Sequence, residues 1–178
     1  MTTPRTPKSQ PIPTARALEN FDTYYAHDYR SLVGLAFVLA GNIHAAEDLA
    51  QDALAEAHKR WDVVSDYDDP GAWVRRVMVN KSTSRFRRLG SEARALTRVG
   101  NRRAEDVAPT ERSTEVWAAV RSLPARQAQT VALYYWEDRS MAQIAEILGC
   151  TTETVKTHLK RGRAALGKSL ASHRGEFS

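Results

Sequence analysis

Apolar residues recur three or four positions apart over two long stretches of the chain, from Leu18 to Leu89 and from Thr114 to about Leu170. This is the spacing of helices that bury one side. The alternation of apolar and polar residues that a half-buried strand requires is missing. Breakers stand at Gly41-Asn42 and within the stretch "SDYDDPG". The sequence therefore predicts an all-α chain.

The two helical stretches are separated by segments that have little to bury. Residues 1–16 are rich in Pro, Thr and basic residues, which predicts a disordered N-terminal tail. Residues 90–112 mix Gly, Arg, Glu and Pro with few apolar anchors, which predicts a flexible linker. We therefore expect two small helical domains, over 17–89 and 113–172.

Charge and cysteine usage narrow the classes of function. The net charge of +5 favours a polyanionic partner without establishing one. The one cysteine, Cys150, excludes an intrachain disulfide and a cysteine-based zinc site, and it suits a reducing compartment. The histidines show no metal-ligand spacing, and no run is apolar or long enough for a membrane span or secretion signal. We expect a cytoplasmic protein with no metal and no cofactor.

Residues 140–161 have the pattern of two short helices joined by a tight turn. Ser140 and Gln143 form a capping box at the first helix, and Gly149 supplies the left-handed residue that ends it. Thr151 or Thr152 caps the second helix. Small Ala145 allows the second helix to pack closely. This combination predicts a helix-turn-helix.

The second of these helices has two unlike sides. An apolar stripe at helical spacing comprises Val155, Leu159, Gly162 and Leu166. Polar residues suited to phosphates and base edges in a major groove lie at the start of this helix and on the side opposite the stripe: Thr152, Glu153, Lys156, Thr157, Lys160 and Arg161. The alternative interpretation is a helical hairpin whose outer face is merely solvated.

The first stretch contains an acidic helix face, which is unexpected beside a DNA-binding segment. One side of "NIHAAEDLAQDALAEAHKRWD" gathers Asp48, Gln51, Asp52 and Glu56. An acidic face repels phosphate, so a ligand here should be a basic protein surface. Plain solvation is the alternative for this face.

The following helix is opposite in character. Asp69 is its predicted cap and Pro70 its first helical residue. Cations and polar residues then follow on one side of a helix that begins with an aromatic residue: Trp73, Arg76, Asn80, Lys81, Thr83, Ser84 and Arg87. This combination favours single-stranded nucleic acid. Alternatively, Trp73 belongs to the core and the basic face is only solvated.

Together these motifs resemble the extracytoplasmic-function (ECF) branch of the sigma factors of bacterial RNA polymerase. "AAEDLAQDALAEAHKRW" is similar to the polymerase-binding helix of the sigma-2 domain, and "DPGAWVRRVMVNKSTSRFRR" to its melting and minus-ten-reading helix. "LPARQAQTVALYYWEDRSMAQIAEILGCTTETVKTHLKRGRAAL" is similar to the sigma-4 domain. The resemblance runs from Phe21 to Leu170, with the motifs in the family's order.

The resemblance implies a role for each face. Asp48, Gln51 and Asp52 match positions that dock on the beta-prime clamp helices of core polymerase, and the sigma-4 domain implies contact with the beta flap. The loop from about Val63 to Asp69 would help hold an extruded base. Asn80 and its basic neighbours would follow the opened minus-ten strand. Lys156, Thr157, Lys160 and Arg161 match the positions that read the minus-thirty-five element.

The resemblance thus implies a sigma factor that recruits core polymerase to promoters and assists melting, without catalysis of its own. The family's usual inhibitor is an anti-sigma factor, and the sequence leaves open whether this chain has one. Two departures, Met141 and His158, leave the upstream sequence open as well. A stand-alone DNA-binding regulator is the main rival interpretation. An enzyme built on "DYDD" is the other, although that cluster lacks the Gly and Glu of a calcium loop.

Overall fold

A computed structural model describes residues 20–95 and 111–175, with side chains over 20–83 and 115–171. These residues form helices and no strand, which confirms the all-α prediction. The helices are α1 (Phe21–Ala40), α2 (Ile43–His58), α3 (Trp61–Val64), α4 (Pro70–Ala95), α5 (Glu111–Ser122), α6 (Ala125–Tyr135), α7 (Met141–Leu148) and α8 (Thr152–Gly175).

We call helices α1 to α4 the first module and helices α5 to α8 the second module. Polar caps stand at the starts of the helices in the first module. The side chains of Asn20 and Asn42 accept backbone N–H bonds at the starts of α1 and α2, at 2.8 and 3.1 Å. Gly41 ends α1 in the left-handed region, with φ of 71°. Asp69 accepts the N–H of Ala72 at 2.9 Å, which confirms it as the cap of α4.

The core of the first module lies between α1, α2 and α4. Its fully buried side chains include Leu32, Leu35, Leu49, Leu54 and Met78. They come from one side of each helix, so each polar side is left to the surface. Burying a side chain of this size stabilises the fold by about 1.5–3 kcal/mol.

The second module packs α8 against α5 and α6. Val155 and Leu159 are buried as predicted. Leu159 shares a cluster with Val120 and Val131, on which Leu166 packs. Gly162 allows this close approach, since a Cβ there would lie 2.9 Å from Cγ2 of Val131.

Val116 and Val120 lie one turn apart on α5 and differ in burial. Val120 is buried in the core, whereas Val116 is 37% exposed. Tyr135 and Trp136 are also exposed, as rim residues rather than core.

The two modules pack directly on each other. Leu133 of α6 and Ile144 of α7 are fully buried in the apolar cluster that contains α1, α2 and α4. Gly34 of α1 allows the Trp136 ring to approach, because a Cβ at position 34 would lie 3.0 Å from it. The first and second modules therefore share one continuous core.

The boundaries of the predicted linker and tail are only partly visible. Helix α4 continues to Ala95 and α5 begins at Glu111, so both ends of the predicted linker 90–112 are helical. Favourable helix formers such as Glu92, Ala93 and Ala95 allow this continuation. The middle of the linker and the predicted tail, 1–16, lie outside the described residues.

Candidate nucleic-acid and polymerase-binding surfaces

The helix-turn-helix geometry confirms the predicted local signals. Ser140 and Gln143 form the capping box in both directions, at 3.3 and 3.0 Å. Gly149 ends α7 with φ of 64° and is open to solvent. Of the two candidate caps for α8, Thr151 is the one that accepts the N–H of Thr154, at 3.2 Å.

Helix α8 presents the predicted DNA-reading residues on an open surface. All six are exposed: Thr152, Glu153, Lys156, Thr157, Lys160 and Arg161. Two of them are held locally, since Lys156 pairs with Glu153 at 3.2 Å and the Thr157 hydroxyl donates to the Glu153 carbonyl at 3.0 Å. Their contact with DNA stays a prediction.

The acidic face of α2 is largely exposed. Asp48, Gln51 and Asp52 lie at the surface, and Gln51 donates to the Tyr25 hydroxyl at 3.2 Å. Glu56 differs, because it is half-buried and pairs with Arg60 at 3.0 Å. The accessible anionic part of this face is therefore its N-terminal half.

Helix α4 brings its predicted DNA-binding residues into unequal environments. Asn80 and Lys81 are exposed, and Lys81 lies 4.0 Å from the Asp52 carboxylate on α2. Trp73 is half-buried and packs on the core, an environment between the two interpretations of the sequence. The side chains of Ser84 and Arg87 lie outside the described residues.

Arg76 on the same face contacts the second module. Its guanidinium donates to the backbone carbonyl of Glu146, through Nε at 3.1 Å and also through Nη2. Glu146 lies in the last turn of α7, whose carbonyls carry the negative end of the helix dipole. The end of α7 thus meets a cation that the sequence assigns to DNA.

A small cavity lies where α4 meets α7. It measures about 210 Å³ and is lined by Tyr67, Asp69, Ala72, Trp73, Arg76 and Glu146. Two aromatic rings and a guanidinium are groups on which a nucleobase stacks. Glu146 belongs to the second module, so that module forms part of the wall.

A buried ion pair links α4 to the turn between α6 and α7. The Arg75 side chain is 2% exposed and donates through Nε and Nη2 to the Glu137 carboxylate, which is 3% exposed. Arg75 also donates to the Ser31 hydroxyl at 3.1 Å and lies 3.4 Å from Asp28 of α1. Arg139 lies 3.3 Å from the same Glu137 carboxylate.

The pKa directions agree with a pair in which both groups are charged. Burial alone disfavours charge on either group, yet Arg75 holds the pKa of Glu137 below the usual glutamate range. Burial likewise opposes charge on Arg75, and Glu137 raises the pKa of Arg75 above its ordinary value. Burial, then Asp28, raises the pKa of the neighbouring Tyr24 hydroxyl.

Gln129 makes a second polar link between the modules. Its side chain is buried on α6, and Nε2 donates to the carbonyl of Val79 at 2.8 Å and to the Thr83 hydroxyl at 2.7 Å. Thr83 belongs to the predicted DNA face of α4. The second module therefore contacts that face of α4 at two positions, Arg76 and Thr83.

Sequence reasoning missed Arg75, Glu137 and Gln129. Arg75 and Gln129 are polar residues at helix positions whose neighbours three and four residues later are buried, and Glu137 lies in the turn between α6 and α7. Their partners are 62 and 50 positions away along the chain. The one available signal was Arg75 beside Arg76, where adjacent residues on a helix cannot point to the same side.

Comparison with known families identifies both modules. The family "Sigma-70 region 2" matches residues 24–92, and "Sigma-70, region 4" matches residues 113–166. The RNA polymerase sigma-E factor of Streptomyces antibioticus is 36% identical over 132 residues, which cover 70% of each chain. The ECF RNA polymerase sigma factor SigW of Bacillus subtilis is 30% identical over 151 residues, or 76% of this chain and 81% of SigW.

This chain belongs to the ECF sigma factors. Members of the family direct RNA polymerase to promoters, so this ECF sigma factor confers promoter specificity in transcription initiation. The sequence-based family assignment and general function are confirmed.

Two solved structures share the fold. The sigma factor RpoE of Bartonella quintana, in complex with the anti-sigma factor NepR, gives a TM-score of 0.68 at 24% identity, over 85% of this chain and 96% of that one. CnrH in complex with the cytosolic domain of CnrY gives 0.61 at 22% identity, over 88% and 92%. At such identities the likeness concerns the fold alone.

None of the described helices is both long and apolar enough to cross a membrane. Within the same part of the chain, no three His, Cys, Asp or Glu side chains are grouped as a metal site requires.

Proposed function

We propose that this ECF sigma factor divides its work among three surfaces. The acidic face of α2 binds the clamp helices of core polymerase, α4 holds the opened minus-ten strand, and α8 reads the minus-thirty-five element as duplex. The beta flap of the polymerase holds the second module. The protein itself carries out no catalytic step and works in the cytoplasm.

The exposed row on α8 is the observation that best supports this division. Lys156, Lys160 and Arg161 stand free of the core on a helix whose opposite side is anchored by Val155 and Leu159. A rigidly seated helix with an open basic side suits insertion into a major groove. The exposed anionic half of α2 suits a basic protein surface in the same way.

Co-elution with core RNA polymerase on a sizing column tests the polymerase-binding surface. We expect Asp48→Arg with Asp52→Arg to abolish co-elution, because both carboxylates become repulsive toward a basic partner. Asp62→Arg with Glu115→Arg is the matched control, since it reverses two exposed carboxylates on other helices. Equal retention of both double variants contradicts the assignment of α2.

We further propose an anti-sigma factor as a regulatory partner of this chain. The support is the likeness in fold to sigma factors solved with NepR and with the cytosolic domain of CnrY. Such a partner has to compete with core polymerase for the acidic face of α2. The competition is contradicted if a candidate inhibitor still binds the Asp48/Asp52 double variant and does not displace core polymerase.

A further inference from the structure

The end of α6 holds an arginine of α8 in one place. Nε of Arg163 donates a hydrogen bond to the Tyr135 hydroxyl at 2.7 Å. The central carbon of the guanidinium lies 5.3 Å from the ring centroid of Tyr134 and 5.4 Å from that of Tyr135. A cation within about 6 Å of an aromatic ring centroid is attracted to the ring face. The guanidinium is therefore held by one hydrogen bond and two aromatic rings.

Arg163 differs from two other arginines with side-chain partners, because its own partners carry no negative charge. Arg60 pairs with Glu56, and Arg75 pairs with Glu137. No carboxylate in the described parts of the chain forms an ion pair with Arg163. A guanidinium has five N–H donors, and the four on Nη1 and Nη2 have no acceptor among the described residues. The side chain is exposed, so an anion from another molecule can reach these donors.

Arg163 lies on the side of α8 that carries two of the predicted DNA-reading cations. Lys156, Lys160 and Arg163 fall within about 60° of one another on the helical wheel. Arg163 is the one closest to the buried stripe of Val155 and Leu159. An α-helix nearly fills a major groove about 12 Å wide, so residues between its base-facing side and its buried side face the walls of the groove. Backbone phosphates form those walls, and arginine is a common phosphate-contacting residue.

We propose that Arg163 binds a backbone phosphate at the edge of the major groove that α8 enters, and that Tyr134 and Tyr135 are its positioning residues. The inference rests on the proposed function of α8 and adds a phosphate-binding residue outside the row that the sequence predicted. Tyr134 packs on the buried cluster of the second module, so the support of Arg163 is fixed to the core. The contact is independent of base sequence, because every base pair carries the same phosphates.

Two properties of these contacts favour phosphate binding. Immobilising a long side chain on binding costs affinity, and the contacts with Tyr134 and Tyr135 remove much of that cost before DNA arrives. The Tyr135 hydroxyl is a neutral acceptor, so the charge of the guanidinium is left for the phosphate, to which its planar fork can donate two parallel N–H bonds. Tyr135 is 52% exposed, which leaves the guanidinium that it holds accessible to DNA.

Fluorescence anisotropy of the full chain with duplex DNA across a salt series tests the phosphate contact. One probe carries a minus-thirty-five element and the other has a random sequence. We expect Arg163→Ala to raise the dissociation constant about fivefold on both probes and to lower the slope of log affinity against log salt by about 0.9. Arg126→Ala is the matched control, because it removes an exposed arginine at the opposite end of α6 and should change neither quantity. Unchanged affinity and slope in folded Arg163→Ala overturn the proposal.

Arg163→Gln protects the test against a packing defect. Glutamine keeps a methylene stem and an amide donor for the Tyr135 hydroxyl, but it carries no charge. We expect it to stay helical by circular dichroism and to lower the salt slope by the same amount as Arg163→Ala. If Arg163→Ala does not fold, an unchanged slope in Arg163→Gln overturns the proposal. A loss of affinity confined to the element probe, in either variant, assigns Arg163 to a base edge and overturns the phosphate contact.

Tyr135→Phe separates positioning from direct contact. It removes the hydroxyl that holds Nε and keeps the ring, while the charge of Arg163 remains. We expect affinity for both probes to fall about twofold with the salt slope unchanged. In the Arg163→Ala background the same substitution should have no further effect, because no guanidinium is left to position. An equal loss of affinity in both backgrounds overturns the positioning role of Tyr135.

Failure of the proposed function gives a different result. Lys160→Ala reports on the assignment of α8 to DNA independently of Arg163. If Lys160→Ala weakens binding and the Arg163 variants do not, the proposed function stands and the phosphate contact of Arg163 is overturned. If neither Lys160→Ala nor any Arg163 variant changes binding to either probe, the assignment of α8 to DNA is wrong, and the role of Arg163 falls with it.

Discussion

Helices α4 and α8 both carry cations and hydrogen-bonding side chains at helical spacing, and both are assigned to promoter DNA. On α8 the whole set lies open to solvent. On α4 the same kind of residue already has protein partners, since Arg76 meets the end of α7 and Thr83 meets Gln129. A helix face whose residues suit DNA is therefore not necessarily accessible to DNA.

The two helices also differ in the contacts that hold them in place. Helix α8 is anchored by apolar contacts through Val155 and Leu159. Helix α4 is anchored by Val74 and Met78 and, in addition, by the Arg75–Glu137 pair. The ionic anchor of α4 reaches into the other module, so it couples that helix to the position of α6 and α7.

Arg75→Ala should lower the free energy of unfolding more than the other variants. It leaves the Glu137 carboxylate buried without its main partner, which typically lowers the free energy of unfolding by about 3–5 kcal/mol. Urea unfolding measures the change. Arg76→Ala is the matched control on the next residue, where an exposed side chain is removed and we expect less than about 1 kcal/mol. Similar losses for both variants would contradict a special role for Arg75.

Leu159→Ala tests the apolar anchor of α8. Its side chain is 2% exposed, and removal of such a group costs about 2–4 kcal/mol. We expect the cost to appear as lower unfolding free energy and as weaker binding to duplex minus-thirty-five DNA. Leu170→Ala, at a half-buried position near the end of α8, should cost less. If Leu159→Ala bound duplex DNA normally at temperatures where it is partly unfolded, DNA binding by α8 would not depend on this anchor.

Lys160→Ala tests the exposed face of α8. Because the residue is exposed, we expect unchanged stability and an affinity for duplex minus-thirty-five DNA about fivefold to tenfold lower. The slope of log affinity against log salt should fall by about one if the ammonium meets a phosphate. Fluorescence anisotropy across a salt series measures both, with Lys59→Ala on the first module as control. A footprint identical to that of the unaltered chain would argue against the contact.

Acidification should give the smallest effect. Arg75 holds the pKa of Glu137 below its usual value, so the pair stabilises the contact between α4 and the turn between α6 and α7 above about pH 4.3, the ordinary value. This contribution is lost as the pH falls through the lowered pKa. The free energy of unfolding, measured with urea over a pH series, should therefore fall at acid pH.

The groups around Glu137 define the control for that titration. Arg75, Arg139 and Ser31 contact its carboxylate directly. Asp28 and Asp69 lie beyond, with Tyr24 and His27 next to Asp28. Glu137→Gln removes only the Glu137 step. A pH dependence that is identical in this variant would assign the effect to the other carboxylates.

The sequence predicted the helices and their ends well, because the forces involved are local. A cap such as Asp69 or Ser140 bonds to a backbone group three residues away, and Gly149 determines its own backbone angle. The apolar stripe of α8 depends only on helical period. The boundary of the linker was less predictable, since favourable helix formers beyond Gly90 extend α4 to Ala95.

The candidate surfaces were predictable in composition and less so in environment. The wheel placed Asp48 and Glu56 on one acidic face, yet Glu56 is half-buried beside Arg60. It placed Trp73 and Arg76 on one basic face, yet Arg76 bonds to the Glu146 carbonyl and Trp73 is half-buried beside a cavity that Glu146 also lines. A helical wheel describes one helix and contains no information on which neighbour covers it.

By itself, the sequence determined an all-α chain, the caps of its helices, the chemistry of each helix face and membership of the ECF sigma factors. Only the tertiary structure decided that Arg75 meets Glu137, 62 positions away, and that α7 lies against Arg76. Local structure follows from interactions within about four residues. The pairing of distant charges depends on which surfaces exclude water together, and no short stretch of sequence specifies that.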